Sequence, residues 1–403
     1  MTTATRPAPT AESRVLARYL TAAVGARLAD EGARVAIVLL ALERTGRADL
    51  GGLLVAALMI PHVAAAPLAG TAADTVRRRK PLYATAFTAY AAALAAAAAL
   101  IGRSTAAAAA SLIIAGCLSP LLLGGLSSLL SELTPATLSR AFSLDATTYG
   151  LAGILGPALA AVVAGATGAA WSLIALGGCV TIGALFFLTL PLAARPPVAG
   201  RRRRPPALGG LTVMVRRRRL GAMTVASALS QLGFGALPLA AAAVAIHTDR
   251  PALTGLIMSV TAAGGLLGSL LCLRIRAVHR HPERALLLCT IGMAVPFLLT
   301  AAAPAGWLLL ALFGVAGLFS SPVTVALFTI RDRESPPDHR TQVFTLGAGI
   351  KVTAAAAGAA AGGLMTAHGP TALLLAVGAS QLLAATAGAA LLPRRPQRPP
   401  QSE

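Results

Sequence analysis

Four ionisable side chains, Arg27, Asp30, Glu31 and Arg34, stand together in Gly25-Ala-Arg27-Leu-Ala-Asp30-Glu31-Gly-Ala-Arg34, inside an otherwise apolar run. On a helix, i,i+4 spacing brings Arg27 to Glu31 and Asp30 to Arg34. If the run crosses a bilayer, each unpaired charge costs about 3 kcal/mol at its centre, so these groups must face a wet cavity or other helices rather than lipid. A carboxylate in that position can take up and release a proton as its solvent access and its pairing with arginine change. The alternative is a self-neutralised structural stripe. A fifth charge, Lys351, is the one charge inside the helices predicted for the second half of the chain. It lies about as deep in its helix as Asp30 does in the first, within roughly 3 Å. Lys351 is expected to face a central cleft and exchange partners with Asp30 or Glu31, unless it merely snorkels. Tyr149, at an offset of 202 from Lys351, and Gln231 are further candidate cleft residues. His62, after Pro61, fits a packed neutral histidine at a kink and is given no role.

The elements that must hold these groups follow from composition. The 403 residues are 56% hydrophobic and 12% charged, against about 25% charged for a soluble domain. Apolar blocks of about 20 residues, the length that crosses a bilayer as helix, recur twelve times, from 17–41 to 370–392. The net charge of +20 would suggest nucleic acid in a soluble chain, but its placement argues against that. Of 34 basic residues, 27 fall in alternate connections and tails, four on the other side, and three (Arg27, Arg34, Lys351) inside blocks. That bias predicts a multi-pass protein of the cell membrane with both termini cytoplasmic. The long first block is expected to stay as helix 1 rather than be cleaved as a signal peptide. The four cysteines lie in apolar blocks with no CxxC pair, so no metal site or other cofactor is expected. No P-loop, dinucleotide fingerprint or nucleophile motif is present, which excludes the common enzyme classes and ATP-driven pumping.

The halves match at an offset near 202: Ser119-Pro120 with Ser321-Pro322, Glu132 with Glu334, Pro135 with Pro337, and Gly156 with Gly358. A repeat of six helices restores the same orientation, giving two parallel six-helix bundles around a cleft that rocking can open to either side. The expected organisation is an N-terminal bundle (1–192), a basic cytoplasmic linker loop (193–219), a C-terminal bundle (220–392) and a disordered tail (393–403). The arginine runs of the linker would anchor topology or bind anionic lipid headgroups.

Between the second and third blocks runs Gly70-Thr-Ala-Ala-Asp74-Thr-Val-Arg77-Arg78-Arg79-Lys80. It resembles the signature loop of the major facilitator superfamily, with Thr75 and Arg77 departing from the usual basic residue and glycine. The resemblance implies an all-α membrane fold of twelve helices. It also implies a cytoplasmic gate in which Asp74 meets the N-terminus of helix 11 and Arg78 or Arg79 pairs with Glu132, locking the bundles together. Gly153, Gly156 and Pro157 resemble the helix 5 motif of the family's antiporters, which would pack on a helix 8 face of Gly264, Gly265 and Gly268. Helix 4 lacks the arginine frequent in drug–proton antiporters. The stretch from Asp30-Glu31-Gly32 to Thr45-Gly46, with Pro61 and the signature loop, is similar to the branch of macrolide-efflux and catecholate-siderophore exporters. The chain is therefore expected to be a monomeric secondary transporter, not an enzyme, exporting a drug-like or secondary-metabolite molecule against protons. A permease importing a small metabolite and a non-transporting receptor or scaffold are the alternatives.

Overall fold

Alanine and leucine dominate the apolar blocks, and both favour helix. In hydrocarbon a helix satisfies its own backbone polar groups, which an open strand cannot do. The computed structural model describes residues 9–194, 208–250, 252–302 and 306–393, and these contain helices and turns with no strand. The N-terminal half comprises α1 (Pro9–Thr45), α2 (Ala48–Thr75), α3 (Arg79–Leu100), α4 (Thr105–Leu133), α5 (Leu138–Thr167) and α6 (Ala169–Leu188). The C-terminal half comprises α7 (Arg218–His247), α8 (Ala252–Leu271), α9 (Pro282–Ala301), α10 (Trp307–Glu334), α11 (Arg340–Met365) and α12 (Gly369–Leu391). Among the described residues ten stretches are long and apolar enough to cross a bilayer. One of these, Pro337–Leu391, runs through both α11 and α12, and α1 completes the twelve despite its charges.

Helix packing repeats six elements on. The pairs α1–α5, α1–α6, α2–α4 and α3–α6 recur as α7–α11, α7–α12, α8–α10 and α9–α12. The halves meet through α2 on α11 and its counterpart, α8 on α5. Even the turns repeat: Gly168 (φ 100°) joins α5 to α6 and Gly369 (φ 80°) joins α11 to α12, left-handed positions that a side chain rarely tolerates. In α4, Pro120 is followed by a wide π turn, Leu121–Gly125, a widening that often marks functional positions. Here it brings Gly124 against the backbone of Phe344 on α11.

Three expectations change. Helix 1 is longer than its apolar block, because polar turns continue it at both ends. The signature loop shrinks to Val76–Arg78, since α2 runs to Thr75 and α3 begins at Arg79. The linker is not all loop. Gly209–Arg216 is an amphipathic helix with Gly209, Gly210 and Met214 buried, and the Gly210 N–H donates to the Gln342 side-chain oxygen at 2.6 Å. Residues 195–207 of the linker and 394–403 of the tail lie outside the described residues.

Candidate functional site

Burial forces a first pairing that differs from the helical-spacing expectation. Arg27 does not meet Glu31. Its guanidinium reaches across to α5 and pairs with Asp145 at 2.7 Å, the two side chains 1% and 0% exposed. It also donates to the Asp145 carbonyl (2.9 Å) and to the Ser127 and Thr148 hydroxyls. Asp145 accepts further hydrogen bonds from Tyr19 and Ser127, both at 2.7 Å. The Arg27 guanidinium lies 3.7 Å from the centre of the Tyr149 ring. Four bonded groups around one ion pair offset the cost of taking two charges out of water. This knot ties α1, α4 and α5 into one body.

Asp30 and Arg34 do pair as spacing predicts, at 2.6 Å, and Arg34 also holds Glu31 at 3.0 Å. Asp30 is 6% exposed, and its other oxygen accepts from Ser119 at 3.0 Å and Tyr90 at 3.4 Å. Asp30, Arg34, Ser119, Met59, His62 and Val352 border a cavity of about 10 Å³, near the least that admits one water. His62 is buried there, and its Nε2 has no partner among the described residues. Two carboxylates thus share one guanidinium, for a net charge of −1. A single proton brings the cluster to zero.

The second half holds its charges differently. Lys351 is half-buried on α11, and no ion pair joins it to Asp30 or Glu31 in this conformation. Gln231 is half-buried, while Gln381 is fully buried and clamps α12 to α7, accepting from the Ser230 hydroxyl at 2.6 Å and donating to its carbonyl at 2.9 Å. A large cavity of about 1370 Å³ lies at the face away from the arginine-rich connections, lined by second-half residues including His247, Arg250 and His368, and does not reach the charged cluster.

At the arginine-rich face the halves are closed on each other. Asp74 accepts from the backbone N–H groups of Thr341 (3.1 Å) and Gln342 (2.9 Å), at the start of α11 where the helix dipole favours a negative charge. Gly70 lets α2 approach: a Cβ there would run into the Gln342 backbone. Ser128 donates to Thr341, Arg340 to Ser131, and Thr345 to the Ala66 carbonyl. On the pseudo-symmetric side Thr147 donates to Ser269 at 2.8 Å, and the Ser143 hydroxyl lies 3.2 Å from His279. Arg79, not Arg78, takes Glu132, at 2.6 Å, while Arg78 is exposed at the cap of α3. That pair braces α3 to α4 within one half instead of bridging the two.

The helix 5 motif also has another partner. Gly156 packs on Gly32 and Leu28 of α1, and Gly153 meets nothing within 4 Å. Pro157 continues α5 one residue beyond Gly156. Gly264 and Gly268 pack on Gly314 and Leu318 of α10, and Gly150 alone of the α5 glycines approaches α8, at Leu266. Arg331, Tyr90 and Gln381 carry no sequence signal of their own, Ser119 shows only in the repeat, and Asp145, though not among the expected site residues, has the signal that marks Asp30, a carboxylate inside an apolar block.

The sequence profile of the Major Facilitator Superfamily matches residues 19–275 and 223–403. An uncharacterised MFS-type transporter, y4rN, of Sinorhizobium fredii is 30% identical over 397 residues, covering 93% of this chain and 94% of that protein. The human organic anion transporter MFSD10 superposes with a TM-score of 0.77 at 18% identity, covering 95% of this chain and all of that one. A bacterial homologue of the iron transporter ferroportin, in its outward-facing state, gives 0.74 at 16% identity over 94% and 98% of the two chains. The distant structures establish the shared fold, and the profile together with the bacterial relative make this chain a transporter of the Major Facilitator Superfamily.

Proposed function

We propose that the protein exports a small, partly apolar molecule across the cell membrane in exchange for protons, with the Asp30–Glu31 pair as the proton-binding element. Its arginine-rich face is cytoplasmic, in keeping with the bias of basic residues to that side, and the chain works as a monomer. The observation that carries this reading is the shared guanidinium of Arg34. Two carboxylates and one arginine leave the cluster one proton short of neutrality, and a neutral cluster passes through an occluded, water-poor intermediate at far lower cost than a charged one. The two carboxylates share one environment and titrate as a pair. Glu31, with its side chain 35% exposed, is the member open to water, and Asp30, 8% exposed, is the one held by Ser119 and Tyr90. A proton entering from outside neutralises the pair and loosens its hold on Arg34. The bundles then rock, the cytoplasmic side opens, the proton leaves, and cargo binds the recharged cleft.

Vesicles of both orientations test this. In inverted vesicles an imposed proton gradient is expected to drive cargo inward. Asp30→Asn makes the cluster neutral without a proton, so flux should persist down a cargo gradient but lose its response to the proton gradient. Unchanged proton-driven flux in Asp30→Asn would overturn the coupling assignment. Uptake confined to right-side-out vesicles would overturn the direction.

A further inference from the structure

Arg331 is a buried cation without a counter-ion among the described residues. It sits near the end of α10 at 2% exposure, and its Nε and Nη2 have no hydrogen-bond partner among the described residues. The sequence Arg331-Asp-Arg-Glu reads as a solvated helix end, yet the neighbouring acids are committed elsewhere: Asp332 to Arg340, and Glu334 with Glu283 to Arg333. The Arg331 guanidinium turns inward and occupies the notch left by Gly347 on α11. Lys351 projects from the same face of α11 one turn further on, roughly 6 Å along the helix. Among the described residues Lys351 likewise has no acidic partner, the ion pairs there being made by arginines. Opposite them stands Tyr149 of the first half, whose ring is 6.1 Å from that of Phe328, one turn before Arg331. Phe142 of the first half closes on Phe328 and Phe344 of the second at 6.0 and 6.4 Å, which makes an aromatic plug beside Arg331 at the seam between the halves.

The carboxylates of the first half cannot serve these cations. Asp145 is held by Arg27, and Asp30 and Glu31 share Arg34. An unpaired buried charge is strongly destabilising, and its persistence at a moving seam points to a partner that comes and goes. We infer that Arg331 and Lys351 form an anion-binding site in the second half, and that the cargo carries a negatively charged group, a carboxylate or its equivalent, that pairs with both. Opening the cytoplasmic side separates the aromatic plug and uncovers Arg331 to the incoming anion. In the outward-facing state Lys351 is the cation that remains within reach of water, and it hands the anion to the outside. The apolar part of the cargo lies against Tyr149 and Phe328, and the guanidinium supplies bidentate recognition. This deepens the export reading by naming the class of its cargo.

The test is equilibrium binding to the purified full chain, with no gradient, using 2-naphthoate and 4-phenylbutyrate, each against its neutral amide, with chloride at equal ionic strength as control. The carboxylates are expected to raise the melting temperature saturably and the amides to leave it unchanged. Lys351→Gln should weaken the carboxylate effect roughly tenfold, and Lys351→Arg should keep it. Arg331→Met supplies a second readout. If the arginine is kept for a ligand, the variant is at least as stable as wild type without ligand and loses the carboxylate response. Equal stabilisation by the amides, no stabilisation by either carboxylate, a wild-type response in Lys351→Gln, or a ligand-free Arg331→Met that melts well below wild type would each overturn the proposal. Because no gradient is applied, that failure leaves proton exchange at Asp30 and Glu31 standing. A failed vesicle assay with intact carboxylate binding would sink the export reading alone.

Discussion

Arg27 of α1 and Asp145 of α5 meet at 2.7 Å in the core of the first bundle, with essentially no exposure of either side chain. Every oxygen of the carboxylate is occupied, by Arg27, Tyr19 and Ser127, so the pair has the character of a fixed brace rather than a proton carrier. Arg27→Ala and Asp145→Ala are each expected to lower stability by about 3–5 kcal/mol, because each strands the other charge. The double variant should lose clearly less than the two added together. Melting of the purified variants reads this. Strict additivity would mean that the two charges do not depend on each other.

The fold was legible in the sequence because hydropathy, loop charge and the 202-residue offset are properties of the chain itself. The Asp30–Arg34 pair was legible for the same reason, since one helix sets that distance. For Arg27 the sequence offers Glu31, because i,i+4 is the nearest spacing a single helix provides. Its real partner is 118 residues away and becomes a neighbour only when α5 packs on α1. Arg331 shows the complementary failure: flanked by Asp332, Arg333 and Glu334, it reads as loop charge, and the Gly347 notch that admits its guanidinium belongs to another helix. The helix 8 glycines suit α5 by residue type, but small residues fit any close crossing, and theirs is with α10.

At the closed arginine-rich face, Asp74→Asn keeps the shape of the side chain and removes its charge from the start of α11. The expected loss is about 0.5–2 kcal/mol of the closed state, read as faster alkylation of a single cysteine introduced on the gate surface of α2. Arg79→Gln should have a smaller effect, about 0–1 kcal/mol, because Glu132 is 41% exposed and screened by water. Arg78→Ala should behave as wild type. An Arg78 effect as large as that of Asp74 would contradict the assignment of the gate.

The α5 glycines separate by what surrounds them. A methyl group at Gly156 would meet the Leu28 carbonyl and the Gly32 nitrogen at 2.8 and 2.9 Å, both backbone atoms, whereas at Gly153 it would meet nothing within 4 Å. Gly156→Ala is expected to cost about 1–3 kcal/mol by forcing α1 from α5, and Gly153→Ala to be neutral. Yield and melting temperature of the two variants, side by side, decide whether the motif acts through α1.

His279 gives closure a pH dependence. It lies outside the membrane-spanning helices, and burial holds its imidazole below the ordinary range. Arg140, Arg276 and Arg280 line the same small cavity and further oppose a positive charge there. A histidine lowered in the closed state favours closure in its neutral form. That contribution is complete above the ordinary value of about 6.5 and is lost as the pH falls through and below it. Measured against an exposed reference thiol on the same chain, whose thiolate fraction falls equally with pH, alkylation at the α5–α8 seam should therefore quicken as the pH at the arginine-rich face is lowered, and His279→Ala should flatten the profile. A profile unchanged in His279→Ala would assign the pH effect to another group.

The Thr147–Ser269 contact crosses the halves at 2.8 Å between hydroxyl oxygens, on the opposite side of the pseudo-twofold from Asp74. If the bundles rock about the centre, this contact must break whenever the arginine-rich face opens. Thr147→Cys with Ser269→Cys, in a chain whose Cys117, Cys179, Cys272 and Cys289 are replaced by serine, is expected to crosslink under mild oxidation and to stop transport until a reductant is added. Crosslinking of the ligand-free protein should go nearly to completion, since the contact belongs to its resting conformation. Cargo added at the arginine-rich face should slow it by holding the seam apart. Full transport through the crosslinked protein would mean that cargo passes without the two halves separating here, and the rocking mechanism would have to be abandoned.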